Sequence, residues 1–160
     1  MRDGLVRELG AVAPTGPGRP VQMLEYDPRA HMVAGVHVGV RTVQIVLADG
    51  CGDRLADQRF ARPPSDDAQQ LLAELGRRVG DMSNEHGLPS VHGIGVCIPG
   101  RVDTETGWCH RAPNLRWRDV DVAGLMSEAA GAPVFVVNDA QAALIAEQSG
   151  NSVFGLFLRF

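Results

Sequence analysis

The stretch "VAGVHVGVRTVQIVLAD", residues 33–49, decides the fold because it contains two strands joined by a tight turn. Apolar residues alternate with small or polar ones along both halves, as in half-buried strands. The turn "DGCGD" (49–53) then brings the chain back into "RLADQRF" (54–60). Three strands joined by short turns are expected to be antiparallel neighbours.

After this meander, helical and strand patterns alternate. The helix predicted at 65–82 has apolar residues at a helical period, and Ser65 is its expected N-cap. The remaining predicted elements are a strand at 91–100, a loop containing "GWCHRAPNLRW" (107–117), a helix at 121–131 between Asp121 and Gly131, a strand at 133–137, a helix at 139–150 and a strand from 152. This order predicts an α/β fold whose mixed sheet holds a three-strand meander followed by βαβ units.

The composition is that of an ordinary globular domain, with 44% apolar and 21% charged residues. A net charge of −4 gives no general attraction to nucleic acid or to an anionic membrane. The three cysteines are widely spaced, which favours a reducing compartment, and no apolar run has the length of a membrane helix. We therefore expect a cytoplasmic protein that does not enter a membrane.

The first thirty residues have a different character. "VRELG" (6–10) resembles the end of a short helix, and 11–20 are predicted to be a loop because they are rich in Pro and Gly. "VQMLEYDP" (21–28) is predicted to be a short strand closed by an Asp-Pro turn.

Polar residues stand where two predicted strands end. Asn138 and Asp139 follow one strand, and Gly100 with Arg101 follows another, at the edge where ligands bind in such sheets. A carboxylate in that position can accept a proton from a substrate hydroxyl, and an amide, which both donates and accepts hydrogen bonds, suits a polyhydroxylated ligand. On spacing alone the alternative is simpler: Asp139 caps the following helix, Asn138 is a turn residue, and Gly100-Arg101 is a turn with a solvated side chain.

Two further patterns allow a structural or a functional interpretation. "GVHVGVRT" (35–42) could cradle a phosphate through backbone N–H groups and the Thr42 hydroxyl, or it could be a plain hairpin. Asn114, in "APNLRW", has the sequence context of a turn residue. The His and Cys residues lack the paired spacing of a metal site, so we predict no metal ligands.

Taken together, the segments resemble the ROK family, which contains sugar kinases and sugar-responsive transcriptional repressors. The resemblance is carried by "VAGVHVGVRTVQIVLAD", "GIGVCIPGRVDTETGWCHRAPNLRW" (93–117) and "PVFVVNDAQAALIAE" (133–147), in the family's order and spacing. It implies an actin-like, RNase H-like lobe over residues 31–150. It also implies that 151–160 begin a second lobe and that 1–30 are a remnant of a winged-helix DNA-binding domain, with its last helix and wing.

The resemblance also assigns roles to residues. Asp139 matches the catalytic base of the kinases, and a sugar would be held by Gly100, Arg101, Asn114, Asn138 and Asp139. Gly39 and Thr42 match the hairpin that contacts ATP phosphates, although His37 stands where the family usually has Asp. A His supplies no carboxylate to the metal–phosphate end of ATP, which argues against phosphoryl transfer.

These implications favour a regulator over an enzyme. We expect a fragment of a ROK transcriptional regulator with a sugar-binding effector lobe and without kinase activity; the alternative is an ATP-dependent hexose or amino-sugar kinase, which alone would need ATP and Mg²⁺. The family's Gly-rich ATP loop and Cys-rich zinc site are expected to lie outside these 160 residues. The expected partners are a sugar or sugar derivative, DNA only through a winged-helix domain that is incomplete here, and further copies of the full-length chain.

Overall fold

A computed structural model describes residues 6–12, 21–63 and 67–149 of the chain. Ten strands and three α-helices lie in these ranges: β1 (Val6–Val12), β2 (Val21–Tyr26), β3 (Val33–Val38), β4 (Thr42–Ala48), β5 (Arg54–Ala61), α1 (Ala68–Glu85), β6 (Gly93–Ile98), β7 (Arg101–Asp103), β8 (Trp108–Ala112), β9 (Trp117–Asp121), α2 (Val122–Ala130), β10 (Val134–Asn138) and α3 (Asp139–Ser149).

The central sheet has five strands in the order β10-β6-β3-β4-β5. The strands β3, β4 and β5 form an antiparallel meander, while β6 runs parallel to β3 and β10 runs parallel to β6. The predicted mixed α/β sheet is therefore confirmed. The parallel half places the carboxyl ends of β3, β6 and β10 at one edge.

One face of this sheet carries the main core. Alternate side chains of the central strands, among them Val36, Ile45 and Val96, are completely buried and belong to one apolar cluster with the buried faces of α1 and α2. The other face holds His37, Gln44 and Cys97, which are register partners in neighbouring strands. The pleat of the strands thus separates an apolar face from a face with a polar row.

The two helices that cover the core begin at aspartate caps. The cap of α1 is Asp67, whose carboxylate accepts a hydrogen bond of 3.0 Å from the Gln70 N–H. The prediction of Ser65 as the cap was wrong, because a carboxylate two residues nearer the first turn performs this function. Asp121 caps α2, and Gly131 follows it in a left-handed conformation (φ 67°), both as predicted.

Residues 101–121 fold into a three-stranded antiparallel sheet in the order β7-β8-β9, where the sequence predicted a loop. The strands have only three to five residues and are separated by turn residues, so their alternation was too short to recognise. Apolar side chains from this region, including Cys109, Leu115 and Trp117, join the main core. This small sheet therefore packs as part of the lobe.

Residues 6–12 form a strand, so the prediction of a helix end there was wrong. This strand, β1, pairs in antiparallel fashion with β2, which confirms the strand predicted within 21–28. The strand β1 includes residues 11 and 12, which were predicted to belong to a loop at 11–20. The rest of that loop (13–20) and the strand predicted from 152 lie outside the described residues. In the part of the chain that the structure describes, no helix has the length and apolarity to cross a membrane.

Candidate functional site

The predicted polar residues meet where β6 and β10 end. Asn138 is the register partner of Ile98, so the chain leaves both strands at the same level of the sheet. The Asn138 Nδ2 group donates a hydrogen bond of 2.6 Å to the Gly100 carbonyl oxygen. The two strand-end segments, separated by 38 residues in sequence, are joined directly by this bond.

Asn138, and not Asp139, is the N-cap of α3. Its Oδ1 accepts a hydrogen bond of 2.8 Å from the Ala140 N–H, and the Gln141 Oε1 accepts one of 3.3 Å from the Asn138 N–H. The bond from Asn138 to Gln141 is the returning half of a capping box, while the Asn138 oxygen binds the second helical N–H in place of the third. The prediction that Asp139 is the cap was wrong, and the N-x-x-Q spacing of 138–141 was the signal that could have identified the pair.

Asp139 therefore occupies the first helical position, where a negative charge is favourable. Its Oδ1 accepts a hydrogen bond of 2.9 Å from the Ala140 N–H. Within the described residues no side-chain donor binds the carboxylate, so its other oxygen can accept a hydroxyl proton. An oxygen left open in this way is one requirement of a sugar contact or a general base.

Gly100 is required by packing. A Cβ atom added there would lie 2.7 Å from the Arg111 carbonyl oxygen and 2.8 Å from the Ala112 Cβ. The chain therefore passes directly against β8 as it leaves β6, and only a glycine fits this approach. This contact fixes the position of the Gly100 carbonyl that Asn138 binds.

His37 lies near Asp139 on the polar face of the sheet. Burial lowers the pKa of His37 below its usual value, the nearby Asp139 carboxylate opposes that change, and Arg59 adds to it. The imidazole is thus favoured in its neutral form. A neutral imidazole offers nitrogen where Mg²⁺ prefers carboxylate oxygen, so this position does not fit the metal of a kinase site.

Cys97 stands beside His37 in the next strand. Burial, with a further contribution from the Asp139 carboxylate, raises the pKa of the Cys97 thiol to about 12. The thiol stays protonated at neutral pH and is a poor nucleophile or metal ligand.

The hairpin between β3 and β4 is a closed turn. The Gly39 N–H donates a hydrogen bond of 2.9 Å to the Thr42 carbonyl oxygen, and a Cβ added at Gly39 would lie 3.0 Å from that oxygen. The Gly39 amide is therefore occupied by the turn and does not point to a phosphate. For Gly39, this contact supports the interpretation of the segment as a plain hairpin. A phosphate contact by the Thr42 hydroxyl remains a prediction.

The other predicted sugar contacts are on exposed segments of this edge. Arg101 begins β7, and Asn114 lies in the 3₁₀ turn Pro113–Leu115, which the buried Leu115 anchors. Among the described residues, neither side chain hydrogen-bonds to Asn138 or Asp139. The same part of the chain contains no cluster of three His, Cys, Asp or Glu side chains that could hold a metal ion.

A sequence model of the ROK family matches residues 33–153, and the chain belongs to this family. Its fold is that of the sugar-kinase-like lobe of the family.

Among proteins of known sequence, the xylose repressor of Bacillus spizizenii is 31% identical over 97% of this chain and 39% of its own length. The glucokinase of Halalkalibacterium halodurans is 27% identical over 71% of this chain and 35% of its own. The chain thus spans well under half the length of these relatives.

Among solved structures, a ROK family glucokinase from Streptomyces griseus in complex with glucose and AMPPNP matches with a TM-score of 0.65. It is 27% identical and covers 76% of this chain, which in turn covers 37% of that protein. Because this solved relative has the actin-like fold, the predicted fold class is confirmed.

Proposed function

We propose that this chain is the sugar-binding lobe of a ROK transcriptional regulator. The observation that carries the proposal is how far the relatives match. The Bacillus spizizenii repressor matches 97% of the chain, whereas the two glucokinases match 71% and 76%. A match over 97% of the chain must include most of the segment that precedes β3, and that segment contains the β1–β2 hairpin, whereas the family model begins at residue 33. A hairpin before the lobe suits the wing of a DNA-binding domain, which we place at residues 1–30.

The ligand that the site suits best is a monosaccharide. The free oxygen of the Asp139 carboxylate and the remaining N–H of Asn138 lie at one edge with the Gly100 segment. Such a mixed set of donors and acceptors matches neighbouring sugar hydroxyls. The printed names of the relatives include xylose repressors and glucokinases, so both a pentose and a hexose belong in the test.

A sugar kinase is the second candidate function, and Asp139 is the observation in its favour. The carboxylate is placed as a general base would be, with one oxygen unoccupied by the described residues. His37 weighs against this function because it replaces the acidic group expected near ATP and Mg²⁺. Under the first proposal the lobe needs neither ATP nor a metal ion, and the hairpin within residues 1–30 belongs to the part of the protein that contacts DNA.

Calorimetry with xylose, glucose and N-acetylglucosamine tests the proposal. We expect one sugar to bind wild type and to bind Asp139→Asn at least about tenfold more weakly, because a charge-assisted hydrogen bond is lost. Glu74→Gln, which removes an exposed charge on α1, is the matched control and should bind as wild type does.

Two results would overturn the proposal. If no sugar binds, the effector role is wrong. If a coupled assay detects sugar-dependent release of ADP that Asp139→Asn abolishes, the protein is a kinase.

A further inference from the structure

Three arginines form a row across the small sheet β7-β8-β9. Arg101 is the register partner of Arg111, and Arg111 is the partner of Arg118, so each strand contributes one member. All three are exposed. Because neighbouring strands lie about 4.8 Å apart, this arginine row is about 10 Å long. Like charges placed directly opposite one another destabilise a sheet, so the arrangement requires an explanation.

The acidic residues of the same sheet do not neutralise the row. Asp103 and Asp121 are both register partners of Trp108, at the other end of the strands. Asp103 accepts hydrogen bonds from the N–H groups of its own turn, and Asp121 caps α2 through the Gly124 N–H. Asp119 faces His110 in the sheet.

An apolar row separates the two ends of the small sheet. It consists of Val102, Cys109 and Val120, which are also register partners. Among the described residues, no carboxylate forms an ion pair with any of the three guanidinium groups. The arginine row is therefore a strip of positive charge on a chain whose net charge is −4.

The row begins at the candidate sugar site. Arg101 directly follows Gly100, whose carbonyl oxygen binds Asn138, and the Arg111 carbonyl lies against Gly100. The β1–β2 hairpin joins the central sheet at the end opposite this site, where the Gly50 N–H donates to the Pro28 carbonyl oxygen. DNA held by this hairpin would therefore contact the other end of the lobe, whereas a small ligand beside Asn138 is next to the arginines.

We propose that the ligand of this site carries a phosphate monoester, which Arg101 and Arg111 bind while Arg118 extends the positive field. The inference rests on the proposed function, because it assigns a charged substituent to the sugar. Each guanidinium fork supplies a pair of parallel N–H donors, and a phosphate monoester has three acceptor oxygens for the two forks. A carboxylate has only two oxygens and is satisfied by one fork, so a pair of arginines favours phosphate.

Calorimetry with matched ligands tests the proposal: glucose, glucose 6-phosphate and glucuronate, then xylose and xylose 5-phosphate. We expect a phosphorylated sugar to bind at least about tenfold tighter than its neutral parent at low salt, since charge-assisted hydrogen bonds are added. That preference should shrink as the salt concentration rises. Arg111→Gln and Arg118→Gln should each reduce the ratio of the two affinities, with the larger effect at Arg111.

Arg77→Gln is the control for net charge, because Arg77 is an exposed residue of α1 outside the row. It should leave the preference unchanged.

Three outcomes would overturn the phosphate assignment. Equal binding of neutral and phosphorylated sugar would remove it and leave the sugar-binding function standing. Binding of glucuronate as tight as that of glucose 6-phosphate would replace it with a preference for anions in general. If no sugar of either kind binds, the phosphate assignment fails together with the proposed function. Circular dichroism of both arginine variants, whose side chains are exposed, verifies that a lost preference is not lost folding.

Discussion

At the scale of single residues, His37 links the site to pH. Its pKa is lowered in the folded protein, while in the unfolded chain it stays near 6.5. Between the two values the unfolded chain binds more protons, so the free energy of unfolding falls as the pH is lowered through and below about 6.5. The stability contributed by the neutral imidazole is complete above that pH.

The first prediction follows from this linkage. His37→Gln should lose less stability than wild type when urea unfolding is measured at about pH 7.5 and again at about pH 5.5, on either side of the ordinary histidine pKa. The comparison isolates His37, because the other histidines titrate in both proteins. Equal losses in the two proteins would contradict the burial of His37.

A second prediction concerns the electrostatic effect of Asp139. Asp139→Asn removes the negative charge that raises the pKa of His37 and of Cys97. The pKa of His37 should therefore fall further, and the pKa of Cys97 should move down from about 12. NMR titration of the His37 ring measures the first change. An unchanged pKa would mean that the two groups are too far apart to interact.

Asn138 gives a third prediction because its amide makes two separable hydrogen bonds. Asn138→Ala should cost about 1–3 kcal/mol, from the lost cap and from the Gly100 carbonyl left without its donor. Asn138→Ser keeps an N-cap oxygen but cannot donate to Gly100 as the amide does, so its loss should be smaller. Urea unfolding measures both, and equal losses would show that only the Gly100 bond matters.

At the scale of elements, the crossing of α1 and α2 depends on one glycine. A Cβ added at Gly76 would lie 2.8 Å from both the Ala129 Cβ and the Met126 carbonyl oxygen. Gly80, one turn along the same helix, has no atom within 4 Å of such a Cβ. The two positions therefore have the same helical conformation but different surroundings.

The fourth prediction uses this contrast. Gly80→Ala should stabilise the protein by up to about 1 kcal/mol, the difference in helix propensity between the two residues. Gly76→Ala should destabilise it by about 1–3 kcal/mol, because overpacking against backbone exceeds that gain. Thermal unfolding of both variants measures the difference. Stabilisation by both would mean that the helices can separate at no cost.

The elements that the sequence predicted well are those in which the apolar pattern repeats over a long stretch. The meander, α1 and the parallel strands follow from alternation and apolar stripes over five or more residues. The strand-end rule also brought Asn138 and Gly100 to one edge. The bond between them could not be predicted, because it depends on a register between β6 and β10 that no local pattern specifies. The arginine row depends in the same way on the registers of β7, β8 and β9.

At the scale of the whole molecule, the β1–β2 hairpin and the lobe do not share a sheet. The strands β1 and β2 pair only with each other among the described residues, and the chain reaches β3 through the 3₁₀ turn Pro28–Ala30. Leu24 and Tyr26, at the end of β2, are exposed. The two parts can therefore be separated without breaking the central sheet.

The fifth prediction is that the chain from Asp27 onward folds without the hairpin. Its urea midpoint should lie close to that of the whole chain, because Asp27 still caps the 3₁₀ turn and Pro28 still binds Gly50. Circular dichroism with urea unfolding measures the comparison. A shortened chain that does not unfold cooperatively would show that the hairpin supports the lobe.

The order of the strands has a consequence for synthesis on the ribosome. The meander β3-β4-β5 is local in sequence and can pair as soon as residues 33–61 have emerged. The hydrogen bond to the Gly100 carbonyl needs Asn138, which is synthesised 38 residues after Gly100. A nascent chain can thus have a paired meander well before the proposed sugar site is assembled, because that site is complete only after β10 has docked.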